Sequence, residues 1–176
     1  MMNWSGGNFR NFFTKYPEAN AMYQKMLRLS ERVQAVRSSE LRKNSQLIAK
    51  AQRELYTAQC NCAYWHGVFG GLYLSHLRRA VYAHLLSAEQ MLNDLEAMPR
   101  RFRNKSVDGR VLVHRMRQRV AVHALDVDGD GEEELQVRTN AMGLVIDPAQ
   151  SGTITEWSLY AWRLNLLDTL GRHPEP

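Results

Sequence analysis

The spacing of apolar residues divides the chain into a helical half and a strand-forming half. Met22, Met26, Leu29, Val33 and Val36 recur in alternating steps of four and three. That is one buried stripe on a helix of about twenty residues. Pro17 suits its first turn, where a missing N–H is not needed, and Glu18 complements the N-terminal dipole. After a polar break at Ser38 to Asn44, Ile48, Ala51, Leu55 and Ala58 mark the inner face of a second helix over about 45–58. A third begins near Leu72, carries Leu74, Leu77, Val81, Leu85, Ala88, Leu92 and Leu95, and is stopped by Pro99. Residues 3–16 read as an incoming connection. Its rings, Trp4, Phe9, Phe12, Phe13 and Tyr16, are too numerous for a free tail and are expected to pack on something, part of it outside this chain. Three amphipathic helices with short connections predict a small bundle over residues 1–98.

After Pro99 the pattern changes. Val111-Leu112-Val113, Val120-Ala121-Val122, Leu135-Gln136-Val137 and Leu144-Val145-Ile146 are short β-prone runs separated by Asp, Gly and Asn clusters. Their spacing predicts an antiparallel sandwich over 99–176. Four or five strands are too few to close two sheets, so this domain is expected to be incomplete. The predicted class is α+β, a three-helix bundle followed by a truncated β-sandwich portion.

Composition adds limits. Hydrophobic content of 44% and charged content of 23% are those of a soluble globular chain. No apolar run reaches the roughly 18 residues needed to span a bilayer, and MMNWSGGNFRNFF has no secretory pattern. The only cysteines, Cys60 and Cys62, cannot staple a fold of this size, which favours a reduced, cytoplasmic setting. The net charge of +5 is unevenly placed: eight basic residues and one acid lie between Arg100 and Arg119, and six acids follow between Asp126 and Glu134. With Phe102 as the lone ring in the basic stretch, a nucleic-acid groove is not expected.

The candidate chemistry concentrates between the second and third helices, in AQCNCAYWHGVFGGLYLSHLR at residues 58–78. Three glycines do not suit a helix core, each costing about 1 kcal/mol against alanine, and a solvent loop does not need so many rings. Asn61, Trp65 and His66 are its polar-tipped candidates. Aromatic faces stack on sugar rings and Asn or His hydrogen-bonds hydroxyls, whereas the bland alternative makes Trp65, Phe69 and Tyr73 bundle core. Asp126, Asp128 and Asp130, with Gly129 and Gly131, resemble the start of a calcium loop. Val137 stands where an EF-hand needs its bidentate Glu, so an acidic β-turn is the competing reading. No pair of carboxyls accompanies the 58–78 stretch, so no catalytic residue is assigned.

These residues resemble a family. AQCNCAYWHGVFGGLYLSHLR is similar to the last conserved block of family 57 glycoside hydrolases, in the α-amylase and 4-α-glucanotransferase branch. NFFTKYPEANAMYQKMLRLSERV resembles the opening of that family's helical domain. DVDGDGEEELQVRTN and SGTITEWSLYAWRLNLLDTLGR resemble the start of its C-terminal β-sandwich. The resemblance implies a retaining enzyme that cuts α-1,4-glucan and passes the chain to water or another sugar. Its nucleophilic Glu and acid/base Asp would lie in an N-terminal barrel, the implied partner, which this sequence does not contain. Asn61, Trp65 and His66, with Tyr64, then become the substrate-contacting wall facing that barrel. Cys62 stands where some members carry Asp, which leaves hydrolysis and transfer unseparated. The isolated chain is expected to be inactive, and a stand-alone carbohydrate-binding or interaction module is the alternative.

Overall fold

The computed structural model describes residues 9–38, 45–65, 69–97 and 120–171. Among the described residues four α-helices come first: α1 (Phe9–Lys15), α2 (Pro17–Ser38), α3 (Ser45–Ala58) and α4 (Ser75–Ala97). Five strands follow: β1 (Ala121–Leu125), β2 (Glu134–Arg138), β3 (Met142–Asp147), β4 (Thr153–Leu159) and β5 (Leu164–Asn165). The α+β class is as predicted.

The helical core is built from the expected stripes. Met22, Met26, Leu29, Val33 and Val36 of α2 meet Ile48, Ala51, Leu55 and Ala58 of α3 and Val81, Leu85, Ala88, Leu92 and Leu95 of α4. Full burial of such a side chain stabilises by about 1.5–3 kcal/mol. Two local expectations change. The stretch predicted as an incoming connection contains α1, where Phe9, Phe12 and Phe13, with Tyr16 just after its end, fall at helical steps of three and four. Helix α4 starts at Ser75 rather than near Leu72, because the preceding residues form a separate 3-10 turn, Gly71–Tyr73.

The sheet is a single antiparallel meander in the order β1-β2-β3-β4-β5. The expected sandwich is thus represented among the described residues by one sheet. The predicted run Val111–Val113 and the basic stretch 100–119 lie outside the described residues.

The two faces of this sheet are chemically unlike. The pairings Val122↔Val137, Val137↔Leu144 and Leu144↔Trp157 form one apolar row, and Ala124↔Leu135, Leu135↔Ile146 and Ile146↔Ile154 form another. Val122, Leu135, Ile154 and Trp157 in these rows are exposed. The opposite parity places Arg138, Ser158 and Asn165 in one row and Gln136, Val145 and Glu156 in the next. That second face meets the helices, and it meets them through polar contacts. Lys25 of α2 lies 2.7 Å from Glu89 of α4 and 2.8 Å from Glu156 of β4. Arg32 and Arg138 both donate to the Asn93 side-chain oxygen, at 2.8 and 3.3 Å, and the Asn93 amide donates to the Tyr160 hydroxyl at 3.3 Å.

Candidate functional site

The connection between α3 and α4 is a folded bend. A 3-10 turn, Asn61–Tyr64, leads to Trp65 in extended backbone (φ −143°, ψ 151°), and the Gly71–Tyr73 turn leads into α4. The two turns are tied where the Leu72 N–H donates to the Trp65 carbonyl at 3.0 Å. Glycine is required at Gly71, with φ +47° and with a Cβ position only 1.9 Å from the Trp65 carbonyl oxygen.

Phe12 of α1 and Tyr16, between α1 and α2, buttress this bend. Phe12 is fully buried, with its ring centroid 4.6 Å from that of Trp65 and 4.6 Å from that of Tyr16. Tyr16 meets Tyr73 edge-on at 5.9 Å, and their hydroxyls hydrogen-bond. Of the N-terminal rings expected to pack on something, Phe12 and Tyr16 meet the bend and Phe13 stacks on Tyr23 of α2, while Trp4 lies outside the described residues. Trp65 ends half-buried, one side supported by Phe12, while Phe69 is 90% exposed and Tyr73 45% exposed.

The candidate residues separate by position. Asn61 is exposed on the first turn and Trp65 is half-buried. Tyr64 faces the other way, 3% exposed, donating its hydroxyl to the Ala58 carbonyl at 2.9 Å. Burial pushes its phenol well above the ordinary range, so it stays neutral. Its position is that of a core support beneath the bend. Tyr64→Phe is expected to lower stability by about 1 kcal/mol in urea denaturation, by leaving the Ala58 carbonyl unpaired, without moving the Phe12–Trp65 contact. His66 lies outside the described residues. Cys60 and Cys62 are exposed free thiols. His84, on α4, contacts Glu54 of α3 at 2.7 Å, and His76 is exposed.

The contributions of Phe12, Tyr16 and Tyr73 were missed as parts of one cluster. Their signal was the helical spacing of Phe9, Phe12, Phe13 and Tyr16, which makes α1 a ring-bearing helix rather than a connection.

The acidic segment forms a tight turn. Asp126 accepts the N–H groups of Gly129 at 2.5 Å and Gly131 at 3.0 Å, Asp128 that of Asp130 at 3.2 Å, and Asp130 that of Glu132 at 2.8 Å. Carboxylate oxygens of Asp126, Asp128 and Asp130 lie within 4.8 Å of one another. Burial, more than the neighbouring acids, raises the pKa of Asp128. Helix α2 holds the turn from beneath, with Asn20 donating to the Asp128 carbonyl at 2.5 Å and Arg28 to the Val127 carbonyl. Each of these carboxylates accepts at least one backbone N–H, the pattern of an Asx-type turn. No metal is assigned to it. Among the described residues, no helix is long and apolar enough to cross a membrane.

A family model described as alpha-amylase/4-alpha-glucanotransferase, middle domain, matches residues 7–92, and one described as alpha-amylase/4-alpha-glucanotransferase, C-terminal, matches residues 126–176. The chain is 35% identical to alpha-amylase 1 of Dictyoglomus thermophilum over 97% of its own length and 21% of that protein. It is 36% identical to the 4-alpha-glucanotransferase of Thermococcus litoralis, over 97% of this chain and 20% of that protein. The crystal structure of the Thermococcus litoralis enzyme superposes with a TM-score of 0.67 at 34% identity, covering 97% of this chain and 21% of that one. The chain thus spans about a fifth of the curated relatives it matches.

Proposed function

We propose that this chain, which belongs to the alpha-amylase/4-alpha-glucanotransferase family through its middle and C-terminal domains, works as part of a retaining enzyme that processes α-1,4-glucan. The bend between the 3-10 turns forms one wall of that enzyme's substrate cleft. The observation that carries this reading is the partly buried Trp65, backed by the buried Phe12 ring. An aromatic side chain braced by a buried ring and still partly accessible can offer apolar surface to a sugar ring at little entropic cost.

In this reading Trp65 stacks on a glucosyl unit, Asn61 and His66 hydrogen-bond sugar hydroxyls, and Tyr64 supports the wall from within. Residues 1–98 form the helical domain and 99–176 the β domain, of the glycoside hydrolase family 57 type. The catalytic carboxylates come from a barrel that packs opposite the bend. The exposed free thiols of Cys60 and Cys62 suit a cytoplasmic setting.

Joined to a catalytic barrel of its family, the chain is expected to support maltotriose disproportionation or starch hydrolysis. Trp65→Ala should lower kcat/KM at least tenfold, about 1.4 kcal/mol of transition-state binding. Turnover indifferent to both Trp65→Ala and Asn61→Ala would overturn the reading. The alternative, a stand-alone carbohydrate-binding module, predicts that the 176-residue chain binds maltoheptaose by itself in calorimetry. One wall of a cleft should give no measurable heat.

A further inference from the structure

A buried ion pair reaches the bend from the far end of the chain. Arg78 lies in the first turn of α4, with its side chain 7% exposed. Its Nη1 donates to the Leu72 carbonyl at 2.6 Å, and its Nε donates to Oδ1 of Asp168 at 2.9 Å. Asp168 follows β5, and its side chain is 6% exposed. Leu72 is itself the residue whose N–H holds the Trp65 carbonyl. An unbroken series of polar contacts therefore runs from Trp65 through Leu72 and Arg78 to Asp168.

The segment after β5 is fastened at other points as well. Asn165 accepts the N–H of Leu167 at 3.0 Å, and the Gly171 N–H donates to Glu18 of α2 at 2.6 Å. Leu170 packs against the helical core. Asp168 is thus delivered to Arg78 by a segment with fixed ends. Its second carboxylate oxygen, Oδ2, is buried and has no hydrogen-bond partner among the described residues. A buried acceptor left unpaired costs stability, commonly 1 kcal/mol or more, and calls for an explanation. Stability alone does not supply one here.

We infer that Arg78 and Asp168 are positioning residues through which the segment after β5 holds the contact between Leu72 and Trp65 in its working geometry. The physical argument is one of compensation. A guanidinium with so little water around it stays in place only while a carboxylate neutralises it. Without Asp168, Arg78 gains by turning toward solvent, and the Leu72 carbonyl loses its donor. The planar fork of arginine serves two acceptors in different directions, which the single ammonium of lysine cannot reproduce at the same positions. The inference rests on the glucan-wall reading for its functional meaning, since the bend is what it positions.

The test is residue-resolved amide hydrogen exchange by NMR on the full 176-residue chain. Asp168→Asn keeps the shape and removes the charge; Arg78→Lys keeps the charge and removes the fork. Both variants are expected to speed exchange of the Leu72 amide at least tenfold while Leu29 and Leu55 in the helical core keep their wild-type rates. The Trp65 indole resonance should shift in both. Leu72 exchange that stays unchanged, or rises only in step with Leu29 and Leu55, overturns the inference, the second result being the mark of a general loss of stability. The two readings fail separately. Turnover unaffected by both Trp65→Ala and Asn61→Ala removes glucan contact without altering Leu72 exchange, and unaltered Leu72 exchange removes the strut without altering the Trp65 effect.

Discussion

Lys25→Met is expected to cost about 3–5 kcal/mol of folding stability, measured by urea denaturation at neutral pH, because it strands two buried carboxylates. Lys25 is 3% exposed, and its ammonium lies between Glu89 and Glu156, themselves 3% and 12% exposed at the side chain. Burial pulls the lysine pKa down, but the two carboxylates outweigh it and raise it above the ordinary value. Burial pushes Glu89 up, yet Lys25, with Arg32 behind it, holds it below the usual 4.5. A carboxylate depressed in the folded state contributes stability above its unfolded pKa, and that stability is lost as pH falls through the folded value. The wild-type protein should therefore weaken on acidification below about pH 4.5. In Lys25→Met the slope reverses: Glu89 stays buried but loses its nearest cation, which raises its pKa, so folding then takes up protons and the deficit shrinks as pH falls. A variant whose deficit is the same at pH 7 and pH 4 would contradict this account. Replacing all three residues together with apolar side chains should recover most of the loss, since an intact buried ion cluster has little net worth.

That cluster also explains which parts of the fold were legible in the sequence. The stripes of α2, α3 and α4 are read directly, because helix spacing and burial coincide at Met22, Leu55 and Leu92 alike. The joining of helices to sheet is not, since it runs through residues that look like ordinary surface charges: Lys25, Arg32, Glu89 and Arg138. Alternation in β2 and β3 shows strands but misleads about the face, because the apolar parity points away from the helices. Strand β4 escaped because its alternation is broken. Val145 pairs with Glu156 but Ile146 with Ile154, and this bulge brings Ile154 and Trp157, three residues apart, onto one face. The candidate site was legible as a composition of rings and glycines. Its division into an exposed Asn61, a half-buried Trp65 and an inward Tyr64 depends on backbone turns that composition does not specify. The Arg78–Asp168 contact, ninety residues apart in sequence, leaves no local signal at all.

Gly71→Ala is expected to cost about 3 kcal/mol, combining left-handed strain with overlap against backbone. The added Cβ would lie 1.9 Å from the Trp65 carbonyl oxygen and 2.8 Å from that of Cys62. Both atoms belong to the main chain, so no side chain can rotate away to make room. The bend must open, and the Leu72 N–H to Trp65 carbonyl bond is the contact in its path. Gly152→Ala supplies the control, because φ there is +75° and nothing lies within 4 Å of the new Cβ. That variant pays only the left-handed penalty of about 1–2 kcal/mol. The difference between the two in urea denaturation isolates the close approach of the two turns. If Gly71→Ala loses no more than Gly152→Ala, the bend yields without penalty, and Trp65 is not held rigidly enough to serve as a wall for stacking sugar.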